Sequence, residues 1–428
     1  MLTERLHWLA THGVTRQVAK AWARLGDPQA RFFIEPSVWA DPLPFFEELR
    51  SLGPLTATRM GFMTVDHAVA RELHRSDEFR VVSIGANLPA PLRWCERLTR
   101  TEVLNPQVPP SLLAVEPPDH TRYRKAVSAV FTARAVAALR DLVDGNALPL
   151  LEELAGECGV VDVVDRYCSR LPVTIISDIL GVPAHDRARI GEFAELASPS
   201  IDFGLSWSRY RSVHRGLAGL ERWLAAHLEQ LRVEPDESLM SRLIEASGDG
   251  VRLNDTEAIV LAGVVLAAGI ETAVSLLGNG IRMLLDSPDQ LAVLSGDSSL
   301  WPNAVEEILR LDPPLQLTAR VARTDTTVAG TPVRRGGIVV IYLAAANRDP
   351  SVFADPHRFD VRRHNAGQHL AFGGGSHYCL GAPLARMECA SGLRSFFTRF
   401  PNAQLAGPGC RRDTRVLRGW ARLPVRTG

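Results

Sequence analysis

The segment Phe372-Gly373-Gly374-Gly375-Ser376-His377-Tyr378-Cys379-Leu380-Gly381 places one cysteine in a glycine-rich loop. It stands immediately before a helical pattern at about 380–397. A helix N-terminus offers unpaired N–H groups and the positive end of the helix dipole, and both favour a thiolate over a thiol. Glycines let backbone N–H groups approach the sulfur and let the chain turn sharply beneath a flat group. Phe372 can shield one side from water. A thiolate held this way is a ligand for a metal that tolerates soft donors, haem iron among them. Two other readings stand beside this one. Cys379 can be a small buried apolar residue of a surface loop. Zinc can be held by His364, His369, His377 and Cys379, although His377-x-Cys379 departs from the paired spacings of structural zinc sites.

The loop belongs to a chain of 428 residues, 46% apolar and 22% charged, which is the balance of a globular protein. Lysine and arginine together number 48, as do aspartate and glutamate, so the formal net charge is zero. Non-specific nucleic-acid binding needs a basic excess, so no nucleic-acid partner is expected. Lysine occurs only at Lys20 and Lys125, and arginine supplies the rest, the skew of a GC-rich bacterial genome. Cys95, Cys158, Cys168, Cys379, Cys389 and Cys410 form no Cys-x-x-Cys pair. They read as reduced thiols, and a cytoplasmic location is expected. The longest apolar run, 258–270, falls short of the roughly 18 residues of a spanning helix, so no transmembrane segment is expected. Residues 1–9 are amphipathic and lack a secretory core; they are expected to pack as a helix on their own protein rather than on a membrane.

Helical patterns cover about 119–157, 163–180, 185–196, 206–232, 236–246 and 301–311. The first opens at Pro117-Pro118-Asp119, with Asp119 as the expected N-cap. The stretch at about 254–286 is apolar on nearly all sides and starts on Asn254-Asp255-Thr256-Glu257, good N-terminal chemistry for a buried central helix. Residues 317–346 are rich in Val, Thr and Ile, with turns at Ala329-Gly330 and Arg335-Gly336-Gly337, and read as short strands. No linker or repeat divides the chain. A single domain over 1–428 is expected, mainly α, with β-rich parts at about 50–70 and 314–346.

Phe372-Gly-x-Gly-x-His377-x-Cys379-x-Gly381 resembles the haem-binding signature of the cytochrome P-450 family. Other stretches, in the family's order, strengthen the likeness over nearly the whole chain. Glu307-Ile-Leu-Arg310 is similar to the family's Glu-x-x-Arg pair, on one helical face by its i, i+3 spacing. Pro356-His-Arg358-Phe359 supplies a third arginine to that pair. His120-x-x-x-Arg124, Arg320 and His369 look like the propionate-binding groups, with His377 inside the signature itself. Ala268-Gly269-Ile-Glu271-Thr272 resembles the oxygen-activating segment, with Ile270 in place of a frequent histidine and Ala273 in place of a second threonine. Ala345-Ala-Asn-Arg-Asp-Pro350 and Leu380-Gly-Ala-Pro-Leu-Ala-Arg386 are typical of the soluble bacterial members, and the whole resembles the actinobacterial and mycobacterial type.

The resemblance implies the family fold, with haem b between the long central helix (about 254–286) and the loop 372–381. Cys379 is then the axial thiolate, within Phe372, Gly373 and Gly381, and Glu307, Arg310 and Arg358 lock that loop. It implies monooxygenation of a hydrophobic small molecule, such as a lipid, polyketide or terpenoid, with dioxygen. The thiolate favours O–O cleavage, and Glu271 and Thr272 supply protons. Gly269, beside Ala268, leaves room for dioxygen, and the Thr272 hydroxyl can bond the carbonyl one turn back. With no flavin or dinucleotide fingerprint, electrons are expected from a separate partner of ferredoxin and ferredoxin-reductase type, docking near Arg122, Lys125 and Arg386. The substrate lining is expected from 82–113, 197–207, Val264, Ala268, 314–319 and Val416-Leu417, including Ile84, Leu88, Ile201, Phe203, Leu315 and Leu317. The segments 82–113 and 197–207 are expected to act as lids. The alternative is a haem-thiolate protein without monooxygenase activity: a peroxygenase, isomerase or sensor.

Overall fold

Asn254 opens the longest helix. Its side chain accepts the Glu257 N–H at 2.9 Å while Glu257 Oε2 accepts the Asn254 N–H at 2.9 Å, a reciprocal capping box. The helix runs Asp255–Leu285 and is buried along most of its length. It is long and apolar enough to cross a membrane, but 67% of its most apolar window is buried inside the protein. Helices Arg170–Leu180, Arg187–Ala197, Trp207–Val233 and Ala382–Arg399 pack around it, so it is the strut of the core. This computed structural model describes residues 2–83, 88–100, 103–157, 159–245 and 253–427. Ile84 and Cys158 lie outside the described residues. Among the described residues the cysteines are free thiols.

The helix expected over 119–157 is broken into Asp119–Ser128, the tight turn Ala129–Phe131, Ala133–Ala138 and Arg140–Ala155. Thr132 makes the break: its backbone is extended and its hydroxyl accepts the Ala135 N–H at 3.2 Å, starting a new helix. Asp119 is not the N-cap. Pro118 takes that place, and no side chain caps the end. The stretch 82–113 contains the helix Ala90–Thr99.

The largest sheet has five strands, in the order Thr56–Thr58, Gly61–Thr64, Ile338–Tyr342, Leu317–Ala322, Phe79–Val81. Only the pairing of Gly61–Thr64 with Ile338–Tyr342 is parallel. Its register sets Arg320 beside Val81 on one side and Val339 on the other. Short strands near the C-terminus, Gln404–Leu405 and Pro424–Arg426, join Val160–Asp162 in a second sheet. They are too short for an alternating pattern to declare them.

Candidate haem-thiolate site

The cysteine loop is built on close backbone contact. Gly373 and Gly375 have φ of +69° and +67°. A Cβ on Gly375 would lie 2.1 Å from the His74 carbonyl oxygen, so this position takes glycine alone. The Cys379 N–H donates to the Phe372 carbonyl at 3.0 Å, and Gly381 caps the helix Ala382–Arg399. The thiol has accessible surface and yet sits deep among protein atoms, so its open face looks onto an internal space. Burial pushes the thiol pKa up, while the Gly381 N–H, the charges of Arg124 and Arg386 and the Ala382 N–H oppose that. Phe372 stands to one side, its ring 4.5 Å from the Arg386 guanidinium and 6.2 Å from the Tyr378 ring. Among the described residues no group of three His, Cys, Asp or Glu side chains converges to hold a metal, so the zinc reading of His364, His369, His377 and Cys379 falls.

The central helix supplies a second wall. Ala268 is exposed and Val264 and Thr272 are partly so, in a helix otherwise buried, which marks one stripe facing an internal space. The Thr272 hydroxyl donates to the Ala268 carbonyl at 2.6 Å. Gly269 needs a correction. A Cβ there would lie 3.0 Å from Ile176 Cδ1, so this glycine serves the packing of the central helix on Arg170–Leu180 rather than opening room for dioxygen. Glu271 is buried, and its carboxylate lies 3.0 Å from Arg412 Nη1. Burial raises its pKa, Arg412 opposes this, and Glu195 adds to it. Arg412 lies far along the chain in an irregular segment, and no sequence signal marked it.

A haem needs cations for its propionates as well as an axial ligand. Arg320 is buried and has no carboxylate within ion-pair distance among the described residues; its own neighbours are Thr318 Oγ1 at 3.3 Å and the Ala319 carbonyl at 3.0 Å. Arg124, partly buried, likewise has no carboxylate partner there. The His120 and His377 rings lie 4.1 Å apart, and the buried His377 Nε2 is 3.6 Å from Glu116 Oε2. Burial, His377 and Arg124 push the His120 pKa down to about 4. Arginines that, among the described residues, have no carboxylate within ion-pair distance are donors that a dianionic haem would satisfy. His369 is not among them. Its Nδ1 accepts the Ala371 N–H at 3.1 Å and its Nε2 is 3.0 Å from Glu306 Oε2, so both nitrogens are engaged within the protein. Burial opposes ionisation of Glu306, but His369 and Arg386 outweigh it and hold the carboxyl down at about 2.

Beneath the loop, Arg310 meets Glu307 through two parallel bonds of 2.7 and 2.8 Å, both side chains fully buried. The third arginine is Arg363, not Arg358: Arg363 Nε donates to Glu307 Oε1 at 3.0 Å. Arg358 offers its backbone carbonyl to Arg310 and Arg363, both at 3.1 Å. The Pro-x-Arg-Phe spacing pointed to the wrong side chain because the chain turns between 358 and 363 and brings the later arginine inward. Of the proposed docking cations, Arg122 is tied to Glu257 at 2.7 Å and Arg386 to Glu306 at 2.5 Å, while Lys125 is exposed. Ile201, Phe203, Leu315, Leu317 and Val416, expected in the substrate lining, pack together in a core cluster shared with Phe32, Phe33 and Phe45.

Fold and site together define a haem-thiolate protein. The family profile described as Cytochrome P450 matches residues 299–405. The chain is 60% identical over 430 aligned residues to "Putative cytochrome P450 140" of Mycobacterium tuberculosis (strain ATCC 25618 / H37Rv), covering 100% of this chain and 98% of that one. It is 43% identical over 317 residues to the 6-deoxyerythronolide B hydroxylase of Saccharopolyspora erythraea, covering 73% of this chain and 76% of that one. Ligand-free CYP164A2 of Mycobacterium smegmatis superposes with a TM-score of 0.83 at 31% identity, over 93% of this chain and 99% of that one. The chain belongs to the cytochrome P450 family. It is a haem-thiolate monooxygenase that hydroxylates a hydrophobic small molecule with dioxygen and electrons from a separate redox partner, and the hydroxylase relatives favour this over a peroxygenase, isomerase or sensor.

Proposed function

We propose that Cys379 is the axial ligand and that His120, Arg124, Arg320 and His377 hold the propionates, in a cytoplasmic enzyme that works as one domain over 1–428. The single observation that carries this is the recessed Cys379 thiol, with Gly381 and Ala382 N–H groups turned toward it and the charges of Arg124 and Arg386 nearby. When bound, haem supplies the activation of dioxygen by electrons from the partner, which we take to be of ferredoxin type. Thr272, poised on the Ala268 carbonyl, delivers protons toward the internal space, and Glu271 with Arg412 passes them from solvent. The substrate is polyketide- or sterol-like, a reading supported by likeness to relatives such as the 6-deoxyerythronolide B hydroxylase and a vitamin D(3) 25-hydroxylase.

The test is the absorption spectrum of the reduced protein under carbon monoxide, with Cys379→Ala alongside. A strongly red-shifted Soret band, absent from the variant, is expected. An ordinary histidine-type band in the parent protein would overturn the ligand assignment.

A further inference from the structure

We propose that the N-terminal helix and the helix Ala90–Thr99 together form a surface that rests on a lipid bilayer carrying anionic headgroups. Both elements expose large apolar side chains. On residues 2–9, Leu2, Leu6 and Leu9 repeat at i, i+4 and i+7 and are 74%, 40% and 45% exposed. On Ala90–Thr99, Trp94 and Leu98 repeat at i, i+4 and are 68% and 63% exposed. On Ala90–Thr99 the polar Glu96 and Thr99 are buried, as are Thr11 and His12 of the turn that follows the N-terminal helix.

The two elements lie side by side. Cys95 Sγ is 4.0 Å from the Leu6 carbonyl, and Thr99 Oγ1 is 3.5 Å from His7 Nδ1. The pair is fastened to the body: Trp8 Nε1 donates to the Leu205 carbonyl at 2.9 Å and Arg16 Nη1 to the Gly204 carbonyl at 2.9 Å. The apolar side chains therefore stay outside by construction. Exposing five large apolar side chains is unfavourable in water and favourable at an interface.

The occupant is argued from charge and area. Arg5 and Arg97 are exposed and Arg93 partly so, at the margin of the leucines, while the chain as a whole is neutral. Arginines around leucines, with a tryptophan at the edge, match an anionic interface in both layers. The apolar area is on the order of 500 Å², below the roughly 800 Å² per partner of a stable protein interface. Beneath this roof lies a cavity of about 220 Å³ lined by His7, His12, Tyr210, His214 and Val260 of the central helix. A ligand leaving the bilayer would meet it first. The surface assignment does not depend on the haem chemistry.

The test is co-sedimentation of the full-length holoprotein with vesicles of phosphatidylcholine, with and without phosphatidylglycerol. The protein is expected to pellet with the anionic vesicles, and more weakly with the neutral ones. Trp94→Gln with Leu98→Gln, both on exposed positions, is expected to lower partitioning by about tenfold. Arg5→Gln with Arg97→Gln is expected to remove only the preference for phosphatidylglycerol. The carbon monoxide spectrum of each sample reports that the haem site is unchanged. Protein that stays in the supernatant with both vesicles overturns the proposal, as does partitioning that ignores Trp94 and Leu98. So does a dimer that forms without lipid and is dispersed by the same variant, which would make the surface a contact between copies.

Discussion

Glu271 Oε2 lies 3.0 Å from Arg412 Nη1, and the same nitrogen is 3.6 Å from Glu195 Oε1, whose side chain is open to solvent. A buried acid is thereby linked through one arginine to the surface. Burial favours the protonated acid and Arg412 the carboxylate, and burial prevails, so the pKa is raised. Glu271→Gln should slow product formation by about a hundredfold and enlarge the solvent isotope effect. Arg412→Leu should act in the same direction. An unchanged isotope effect in both variants would remove this pair from proton delivery.

Thr272→Ala should consume dioxygen without making product. The hydroxyl on the Ala268 carbonyl at 2.6 Å is the one such group placed in the exposed stripe of Val264, Ala268 and Thr272. Product per dioxygen should fall severalfold, and Thr272→Ser should restore most of it. Equal coupling in parent and alanine variant would end the assignment.

The arginine cluster gives a two-sided comparison. Arg363→Leu strips Glu307 of one of its two buried partners and should cost about 3–5 kcal/mol, with faster haem loss. Arg358→Leu keeps the backbone carbonyl that Arg310 and Arg363 use, and should stay within about 0.5 kcal/mol. Thermal denaturation of both proteins separates them, and the reverse ranking would restore Arg358 to the cluster.

Gly375→Ala should be among the most damaging single methyl additions in the chain. Its Cβ would fall 2.1 Å from the His74 carbonyl at a φ of +67°. Backbone on both sides has nowhere to yield, so the loop must shift. A loss of at least about 2 kcal/mol and a reduced fraction of red-shifted carbon monoxide complex are expected. A variant with parental stability would mean that the loop is held less tightly than this contact requires.

Acid stability should reflect His12. Burial, and to a smaller degree His7, lowers its pKa from 6.5 to about 4. The unfolded chain binds this proton more readily than the folded one, so stability is lost as pH falls from 6.5 toward 4. The full loss is roughly 3 kcal/mol. His12→Phe should flatten the pH dependence of the denaturant midpoint over that window. Identical slopes would show that other groups dominate.

Much of the site was readable in the residues. Asn254 and Glu257 announced the start of the central helix, because capping acts over three residues. The signature around Cys379 placed the thiol, since the helix end, the glycines and the cysteine are contiguous. Thr272 on Ala268 followed from a one-turn spacing. Where the reading failed, the interaction was long-range. Gly269 packs on Ile176, His369 is drawn to Glu306, and Arg363 displaces Arg358 at Glu307.

The sequence by itself determined the mainly helical class, the glycine-rich cysteine loop, the placing of Thr272 one turn from Ala268 and the Glu307–Arg310 unit, because each is written within a few residues and obeys helix or turn geometry. Only the tertiary structure decided that Arg412 meets Glu271, that Arg320 has no carboxylate within ion-pair distance among the described residues and that Trp94 and the N-terminal leucines face outward. Those outcomes depend on which distant segments meet when one core is closed, and spacing along the chain carries no record of them.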